Sequence, residues 1–285
     1  MSQETVDARL ADAASPPVSW IVHRERLLLF GWGRAILLQF AHPLIAHAVF
    51  EHSGFRADPW GGWRRLHRTV SAMLALTFGS ERQAAGAAGR INAIHARVNG
   101  HADGLAYSAR DPALMRWVHV TCVDSFVKTH ELYVAPLTDA QRDAYCAESA
   151  QGAALLGLDP AALPHDIRAL QRCMDATYES GALQVTDTAR TLARAVLFPR
   201  PRWLGWPVVD AVRLSTVALL PPPIRDAYGL RWTPRLRRRH ERLVRMIHTL
   251  RALTPSRVAH WAVARKAMRY NPPAFHAERR PGGPA

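Results

Sequence analysis

The sequence predicts an all-α protein, and three observations support that fold class. Alternating runs of β-branched residues are few. From Trp20 onward, most segments are rich in Ala, Leu and Arg and have the length and apolar periodicity of helices. Prolines, glycines and capping residues fall between these segments, where helices begin and end. We therefore expect helices almost throughout the chain and no β-hairpin.

Local signals set the boundaries of the predicted helices. Four prolines stand where a first helical turn tolerates them: Pro43, Pro112, Pro164 and Pro255. Ser80 and Asp111 occupy N-cap positions, and Thr138 has Gln141 three residues later, which is the spacing of a capping box. Three glycines are expected to end helices: Gly79, Gly100 and Gly157. The predicted helices cover residues 19–40, 43–52, 61–78, 81–99, 111–133, 138–156, 164–180, 186–198, 203–219, 222–227, 233–252 and 255–268.

The chain is expected to form a single helical domain over residues 19–270. Its 285 residues, 48% of them hydrophobic, are enough for one large core. Residues 1–18 are small and polar and end near two prolines, so they predict a disordered N-terminal arm. Residues 271–285 contain the segment ERRPGGPA and predict a disordered tail. No linker divides the domain, although residues 198–207 are its weakest point.

Charge and cysteine content limit the function classes. The formal net charge is +14 and the basic residues are almost all arginine. Such a surplus attracts phosphates, anionic lipids or acidic substrates, although a general preference for arginine explains it equally well. The three cysteines have no metal-ligand spacing and indicate a reducing compartment. The N-terminus lacks the pattern of a signal peptide, so the protein is predicted to be cytoplasmic.

The most apolar stretch, residues 27–50, contains Arg34 and is broken by Pro43. The uncharged part, residues 35–50, is too short for a bilayer, so we expect two buried core helices and no transmembrane span.

Two segments contain candidate functional residues. In RRLHRT, Arg65, Arg68 and Thr69 share one helical face. That face is either a solvated basic surface or the wall of a cavity that holds an anion or a polar oxygen species, because an apolar segment follows it. In RINAIHARVNG, His95 falls within a helical stripe of apolar residues. A histidine there is either a hydrogen-bonded core residue or the proximal ligand of a haem iron.

A third segment, LRWVHVTCVDSF, carries Thr121 and Asp124 among apolar neighbours. Either side chain could orient a ligand imidazole, and either could equally satisfy the backbone of a neighbouring helix. His42, His47 and His52 are spaced by five residues, about 140° apart on a helix, which disfavours one shared metal site. Nucleotide-binding, HExxH and GxSxG motifs are absent from the sequence.

The C-terminal segment 235–269 interleaves arginines with apolar residues. It could contact an anionic membrane or nucleic acid. The alternative is that the arginines face water while five apolar residues pack on the core: Leu236, Leu243, Met246, Ile247 and Leu250.

The order of several motifs resembles the catalytic domain shared by latex-clearing proteins (rubber oxygenases) and MpaB-type oxygenases. These motifs are HPLIAHAVFEHSGFRADPW, RLHRT, TFGS, INAIHARVNG, YSARDPALMRWVHVTCVDSF and LPHDI, and the resemblance covers about residues 20–250. It implies a globin-like, haem-binding bundle with extra C-terminal helices. It also implies a haem b-dependent oxygenase that acts with dioxygen on an unsaturated, isoprenoid-like hydrophobic small molecule.

The resemblance assigns roles residue by residue. It implies that His95 ligates the iron, that Arg65, Arg68 and Thr69 form the distal polar pocket, and that Thr121 lies near the haem. Arg68 stands where rubber oxygenases have lysine, and arginine stays protonated, so it is not expected to ligate iron. Glu51 is a candidate for their catalytic base, without a secure match.

The expected partners are a small hydrophobic substrate and dioxygen, with no nucleic acid and with peripheral membrane contact through the basic C-terminal helices. Two alternatives stay open: a non-catalytic helical protein that binds haem or lipid, and a basic membrane-surface module.

Overall fold

A computed structural model describes residues 16–52, 61–102, 104–199 and 206–270. The prediction of an all-α fold is confirmed, since helices dominate these residues and their one sheet is a two-stranded hairpin. The predicted N-terminal arm up to residue 15 and the predicted tail lie outside the described residues. Residues 16–18 are described, and the first helix begins at Val18.

The helices are numbered here in chain order. They are α1 Val18–His23, α2 Leu29–Phe40, α3 Pro43–His52, α4 Gly61–Phe78, α5 Glu81–His95, α6 Pro112–Tyr133, α7 Asp139–Ala153, α8 Ile167–Glu179, α9 Asp187–Leu197, α10 Trp206–Leu219, α11 Pro222–Ala227, α12 Pro234–Leu253, α13 Ser256–Ala259 and α14 Ala262–Tyr270. Short 3-10 helices cover Arg26–Leu28, Ala154–Leu156 and Pro160–Ala162. Strands β1 Asn99–Ala102 and β2 Leu105–Ser108 pair antiparallel.

Helix α2 lies at the centre of the fold and packs against α6 and α10. Two glycines allow this close approach. A Cβ atom added at Gly31 would overlap the side chain of Thr129 on α6, and one added at Gly33 would overlap Thr216 on α10. Both threonines are buried. Larger residues at either glycine would push the central helices apart.

The predicted capping signals are confirmed. Ser80 and Thr138 each form a capping box, and the Asp111 carboxylate accepts hydrogen bonds from the first turn of α6. These signals were readable from sequence because each cap involves residues within three positions of one another. The helix predicted from Pro164 begins later, at Ile167, where Asp166 is the N-cap.

The prediction of a single helix over residues 19–40 is wrong. The chain breaks at Glu25, whose backbone is extended and pairs with His260 in an isolated bridge. The Glu25 carboxylate is fully buried and accepts hydrogen bonds from Arg251, with His260 Nε2 3.0 Å away. The same contact splits the helix predicted over 255–268 into α13 and α14. Both breaks depend on residues more than 200 positions apart, which local patterns do not reveal.

The expectation that no β-hairpin occurs is also wrong. Helix α5 ends at His95 instead of residue 99, and Gly100 lies within β1 instead of ending a helix. The strands reverse at Gly104, which has a φ of 78°. The Asp-Gly pair at 103–104 is a recognised hairpin signal that the sequence analysis did not weigh.

The hairpin of helices α4 and α5 is anchored near its connecting turn. His23 on α1 joins α4 to α7, with Nδ1 2.8 Å from Thr77 Oγ1 and Nε2 2.8 Å from Tyr145 Oη. The indole of Trp20 donates a hydrogen bond to the Thr77 carbonyl oxygen (2.9 Å). Trp20 and Phe78 also pack together, with ring centroids 5.4 Å apart. These contacts hold the Phe78 end of α4 against the rest of the fold.

The expected packing of the C-terminal segment is correct only in part. Ile247 is buried, and Leu236 and Leu243 are half-buried. Met246 and Leu250 were expected to pack on the core, but they are 51% and 54% exposed. The apolar positions of α12 span two neighbouring stripes, and only the one containing Ile247 faces the protein.

Within the described residues, no single helix combines the length and apolar character needed to cross a bilayer. Two consecutive helical segments, Arg26–Phe40 and Pro43–His52, together have that length and apolar character, but the chain bends by 107° between them.

Candidate active site

His95 is the last residue of α5 and is half-buried. Its Nδ1 atom is buried and has no hydrogen-bond partner among the described residues. Burial and the nearby positive charge of Arg110 lower the pKa of the imidazole. The ring is therefore neutral at pH 7 and keeps a lone pair on one nitrogen. The surrounding stripe is less apolar than expected, because Ile94 is 60% exposed.

The predicted distal residues lie near the start of α4. Arg65 is half-buried, while Arg68 and Thr69 are exposed. Burial lowers the pKa of Arg65, and the positive charge of Arg68 lowers it further because the two guanidinium groups are close enough to repel each other. The Thr69 hydroxyl donates a hydrogen bond to the Arg65 carbonyl oxygen (2.9 Å). Its oxygen keeps a lone pair for an incoming donor.

In the α4–α5 hairpin, Arg65 lies about as far from the connecting turn as His95 does. Arg65 lies fourteen residues before Gly79, and His95 lies fifteen after Ser80. At a rise of about 1.5 Å per residue, both are roughly 21–22 Å from the turn. The two helices pack against each other. Arg65 and His95 thus both lie towards the end of the hairpin opposite its turn, which we call the open end.

The β-hairpin and α3 form a second polar group next to the open end. His52 Nε2 lies 3.2 Å from the Tyr107 hydroxyl, and the His47 and Tyr107 ring centroids are 5.7 Å apart. Burial and the negative charge of Glu51 raise the pKa of Tyr107. Glu51 is exposed at the end of α3, so the structure places this candidate base beside Tyr107.

His42 is a second histidine with an unpartnered ring nitrogen. Its Nδ1 atom is buried and lacks a hydrogen-bond partner within the part of the chain that the structure describes. Burial lowers the pKa of His42, and the charge of Asp111 opposes that shift. Because Asp111 follows Arg110, the two histidines flank the same short segment. The sequence analysis considered His42 only as part of a three-histidine metal site.

Thr121 and Asp124 have structural partners on α6. The buried Thr121 hydroxyl lies 2.9 Å from the carbonyl oxygens of Trp117 and Val118 and accepts a hydrogen bond from Gln39 Nε2 (3.2 Å). Asp124 pairs with Arg34 and with Lys128. Within the part of the chain that the structure describes, neither side chain hydrogen-bonds to His95. The partners of Asp124 are thus side chains, Arg34 on α2 and Lys128 on its own helix, and not the backbone of a neighbouring helix as the sequence had suggested.

Several side chains on α6 are only partly buried. Burial lowers the pKa of His119 to about 4 and raises that of Cys122 to about 12, so both side chains lie within the protein. Both nevertheless keep accessible surface, and Val118, which precedes His119, is 36% exposed. The α4 residues from Ala72 to Thr77 are also only half-buried. Protein atoms therefore cover these parts of α4 and α6 only partly.

Groups of three or more histidine, cysteine or acidic residues with the arrangement of a metal site do not occur among residues 16–52, 61–102, 104–199 and 206–270.

A comparison with protein families matches residues 20–249 to one described as ER-bound oxygenase mpaB/B′/rubber oxygenase, catalytic domain. The match covers most of the chain, including every candidate residue discussed above. No curated protein and no solved structure matches the chain.

Proposed function

Because the chain belongs to the mpaB/B′/rubber oxygenase catalytic-domain family and is therefore an oxygenase, we propose that it uses haem b. We further propose that it acts with dioxygen on an unsaturated, isoprenoid-like hydrophobic small molecule, with His95 as the iron ligand. One observation carries the assignment of His95. It is a neutral, half-buried imidazole at the open end of the α4–α5 hairpin, and its buried Nδ1 atom has no partner among the residues that the structure describes.

The residues around His95 fit a haem in chemical terms. A neutral imidazole is a common axial ligand of haem iron. Arg65, Arg68 and Arg110 supply positive charge that suits carboxylate groups such as haem propionates. The half-buried apolar surfaces of α4 and α6 suit the macrocycle. The bound haem would supply the activation of dioxygen, which none of these side chains can perform.

The protein side chains would bind the haem and orient polar oxygen groups next to it. Arg65 remains protonated despite its lowered pKa, so it can donate hydrogen bonds to a propionate or another polar oxygen. The Thr69 hydroxyl donates to the Arg65 carbonyl oxygen and can still accept a hydrogen bond. Thr121 would shape the wall of the pocket, since Gln39 and the helix backbone occupy its polar atom. Val70 and Leu66, which pack on the core, would help to exclude water.

The absorption spectrum of protein expressed with a haem precursor tests the cofactor. A Soret band is expected in the wild type, and it should be lost or strongly shifted in His95→Ala. His42→Ala is the matched control, because it removes the other histidine with an unpartnered nitrogen. Circular dichroism should show that both variants keep their helices. If only His42→Ala loses the band, His42 is the iron ligand and the assignment of His95 is wrong. Colourless protein that does not bind added hemin would overturn the haem proposal.

Oxygen consumption tests the substrate class. We expect uptake of dioxygen with an unsaturated isoprenoid and none with its saturated analogue. Haem-loaded protein that consumes no dioxygen with any unsaturated lipid would favour the alternative of a non-catalytic haem- or lipid-binding protein.

A separate observation favours peripheral membrane contact. Met246, Leu250 and Leu253 follow one another at helical spacing on α12 and are 51%, 54% and 77% exposed. Exposed arginines, including Arg242 and Arg245, accompany them on the same helix. Apolar side chains flanked by cations suit the surface of an anionic bilayer. We propose that this stripe, residues 246, 250 and 253, contacts such a membrane.

A further inference from the structure

A cavity of about 240 Å³ lies between the end of α9, α10, the segment 230–232 and the start of α12. None of the residues considered for the active site lines it. Its apolar wall consists of Leu197, Leu214, Val217, Leu230, Trp232 and Leu236. The remaining lining includes three arginines, Arg213, Arg231 and Arg239. The cavity is thus apolar and carries several cationic groups.

A buried carboxylate holds two of these arginines in place. Asp210 is only 7% exposed and accepts hydrogen bonds from both Arg213 and Arg239. Each guanidinium has five N–H donors and directs one terminal nitrogen at Asp210, so further donors remain. The Arg213 guanidinium also lies over the Phe198 ring, 4.9 Å from its centroid. Groups fixed in this way lose little conformational freedom when they bind an anion.

Positive charge remains after this pairing. Three arginines line the cavity with one carboxylate beside them, and Arg231 makes no ion pair within the described residues. An anion near the arginines would gain charge-assisted hydrogen bonds. An apolar chain attached to that anion would replace water along the leucine and valine wall.

We propose that this cavity binds an anionic amphiphile, a narrow hydrocarbon chain ending in a carboxylate or a phosphate. Its volume is below the range of about 300–1,000 Å³ typical of drug-sized ligand sites, which favours a single chain over a fused ring system. This proposal does not depend on the haem proposal, since the two sites share no residue.

Isothermal titration calorimetry of the full chain tests the proposal with four probes. Decanoate and decyl phosphate carry the two candidate head groups, decanol has the chain without the charge, and inorganic phosphate has the charge without the chain. We expect saturable binding of at least one anionic amphiphile and affinity about tenfold lower for decanol. The comparison of decanoate with decyl phosphate identifies the preferred head group. Binding that is absent for both, or equally tight for decanol, would overturn the proposal.

Two matched charge reversals locate the binding site. Arg231→Glu should weaken binding of the preferred anion by about tenfold or more. Arg237→Glu, on the exposed part of α12 outside the cavity lining, makes the same change in net charge and should have little effect. Equal losses in the two variants would mean that overall charge, not this cavity, attracts the ligand.

A third variant tests the apolar wall. Leu236 is half-buried, so Leu236→Trp can fill the cavity without removing a core side chain, and it should abolish binding. His95→Ala should leave binding unchanged, which separates this site from the active site. Wild-type affinity in Leu236→Trp, or loss of binding in His95→Ala, would contradict the assignment.

Discussion

Arg34 and Asp124 form a buried ion pair between α2 and α6, with Arg34 Nη1 2.7 Å from Asp124 Oδ2 and side-chain exposures of 2% and 4%. Arg34 also donates hydrogen bonds to Ser125 Oγ (2.7 Å) and to the Leu219 carbonyl oxygen at the end of α10 (2.8 Å). One guanidinium therefore connects the three central helices. Burial acts to raise the pKa of Asp124, but the charges of Arg34 and Lys128 outweigh it and lower the pKa.

Breaking this pair from one side should destabilise the fold strongly. Arg34→Met leaves a buried carboxylate without its main partner, and Asp124→Asn leaves a buried guanidinium without its counter-charge. Each should lower the free energy of unfolding by about 3–5 kcal/mol, measured by urea denaturation. The double variant should lose less than the sum of the two, because the residues interact directly. Additive losses would show that the pair is not coupled.

The stability of the protein should decrease below pH 6.5 because of His23. Burial lowers the pKa of His23 from 6.5 to about 4, so the unfolded state binds its proton more readily than the folded state. Stability is therefore complete above about pH 6.5 and is lost as the pH falls towards 4. Between pH 7 and pH 5 this group alone should cost about 2 kcal/mol of unfolding free energy. His23→Gln should reduce that pH dependence, and an unchanged dependence would contradict the role of His23.

If the haem proposal holds, Arg68→Lys should change the iron spectrum. A lysine loses its proton more easily than arginine, and the charge of Arg65 nearby lowers its pKa further. A neutral lysine could then bind iron, which would shift the ferric Soret and visible bands towards a six-coordinate, low-spin form, more so at high pH. Arg68→Gln is the control and should keep the wild-type bands. Identical spectra for both variants would mean that position 68 does not face the iron.

Vesicle sedimentation tests the proposed membrane stripe. Binding to vesicles that contain phosphatidylglycerol should exceed binding to pure phosphatidylcholine. Replacing Met246, Leu250 and Leu253 by serine should weaken that binding at least tenfold, because three exposed apolar side chains no longer enter the bilayer. Val208→Ser is the control, since Val208 is 62% exposed on α10. An equal effect of the control, or no lipid dependence, would contradict membrane contact through this stripe.

Features of the fold that depend on neighbours in sequence could be predicted. The capping box at Ser80, the capping box at Thr138 and the N-cap at Asp111 were readable because their partners are two or three residues away. The family was also recognisable from motif order. For the candidate site, the helical spacing of Arg65, Arg68 and Thr69 was available from sequence, but the packing of α4 against α5 as a hairpin required the structure.

The sequence by itself determined the helical class, most helix boundaries and the residue types available for chemistry, since these depend on short-range hydrogen bonds and apolar periodicity. Only the tertiary structure decided where Glu25 interrupts a helix, which charge Arg34 neutralises and which stripe of α12 is exposed. Those outcomes depend on contacts between distant residues, and periodicity within one helix cannot specify the partner on another. The unpartnered nitrogen of His95 belongs to this second group, because burial and the absence of a partner are properties of the packed protein.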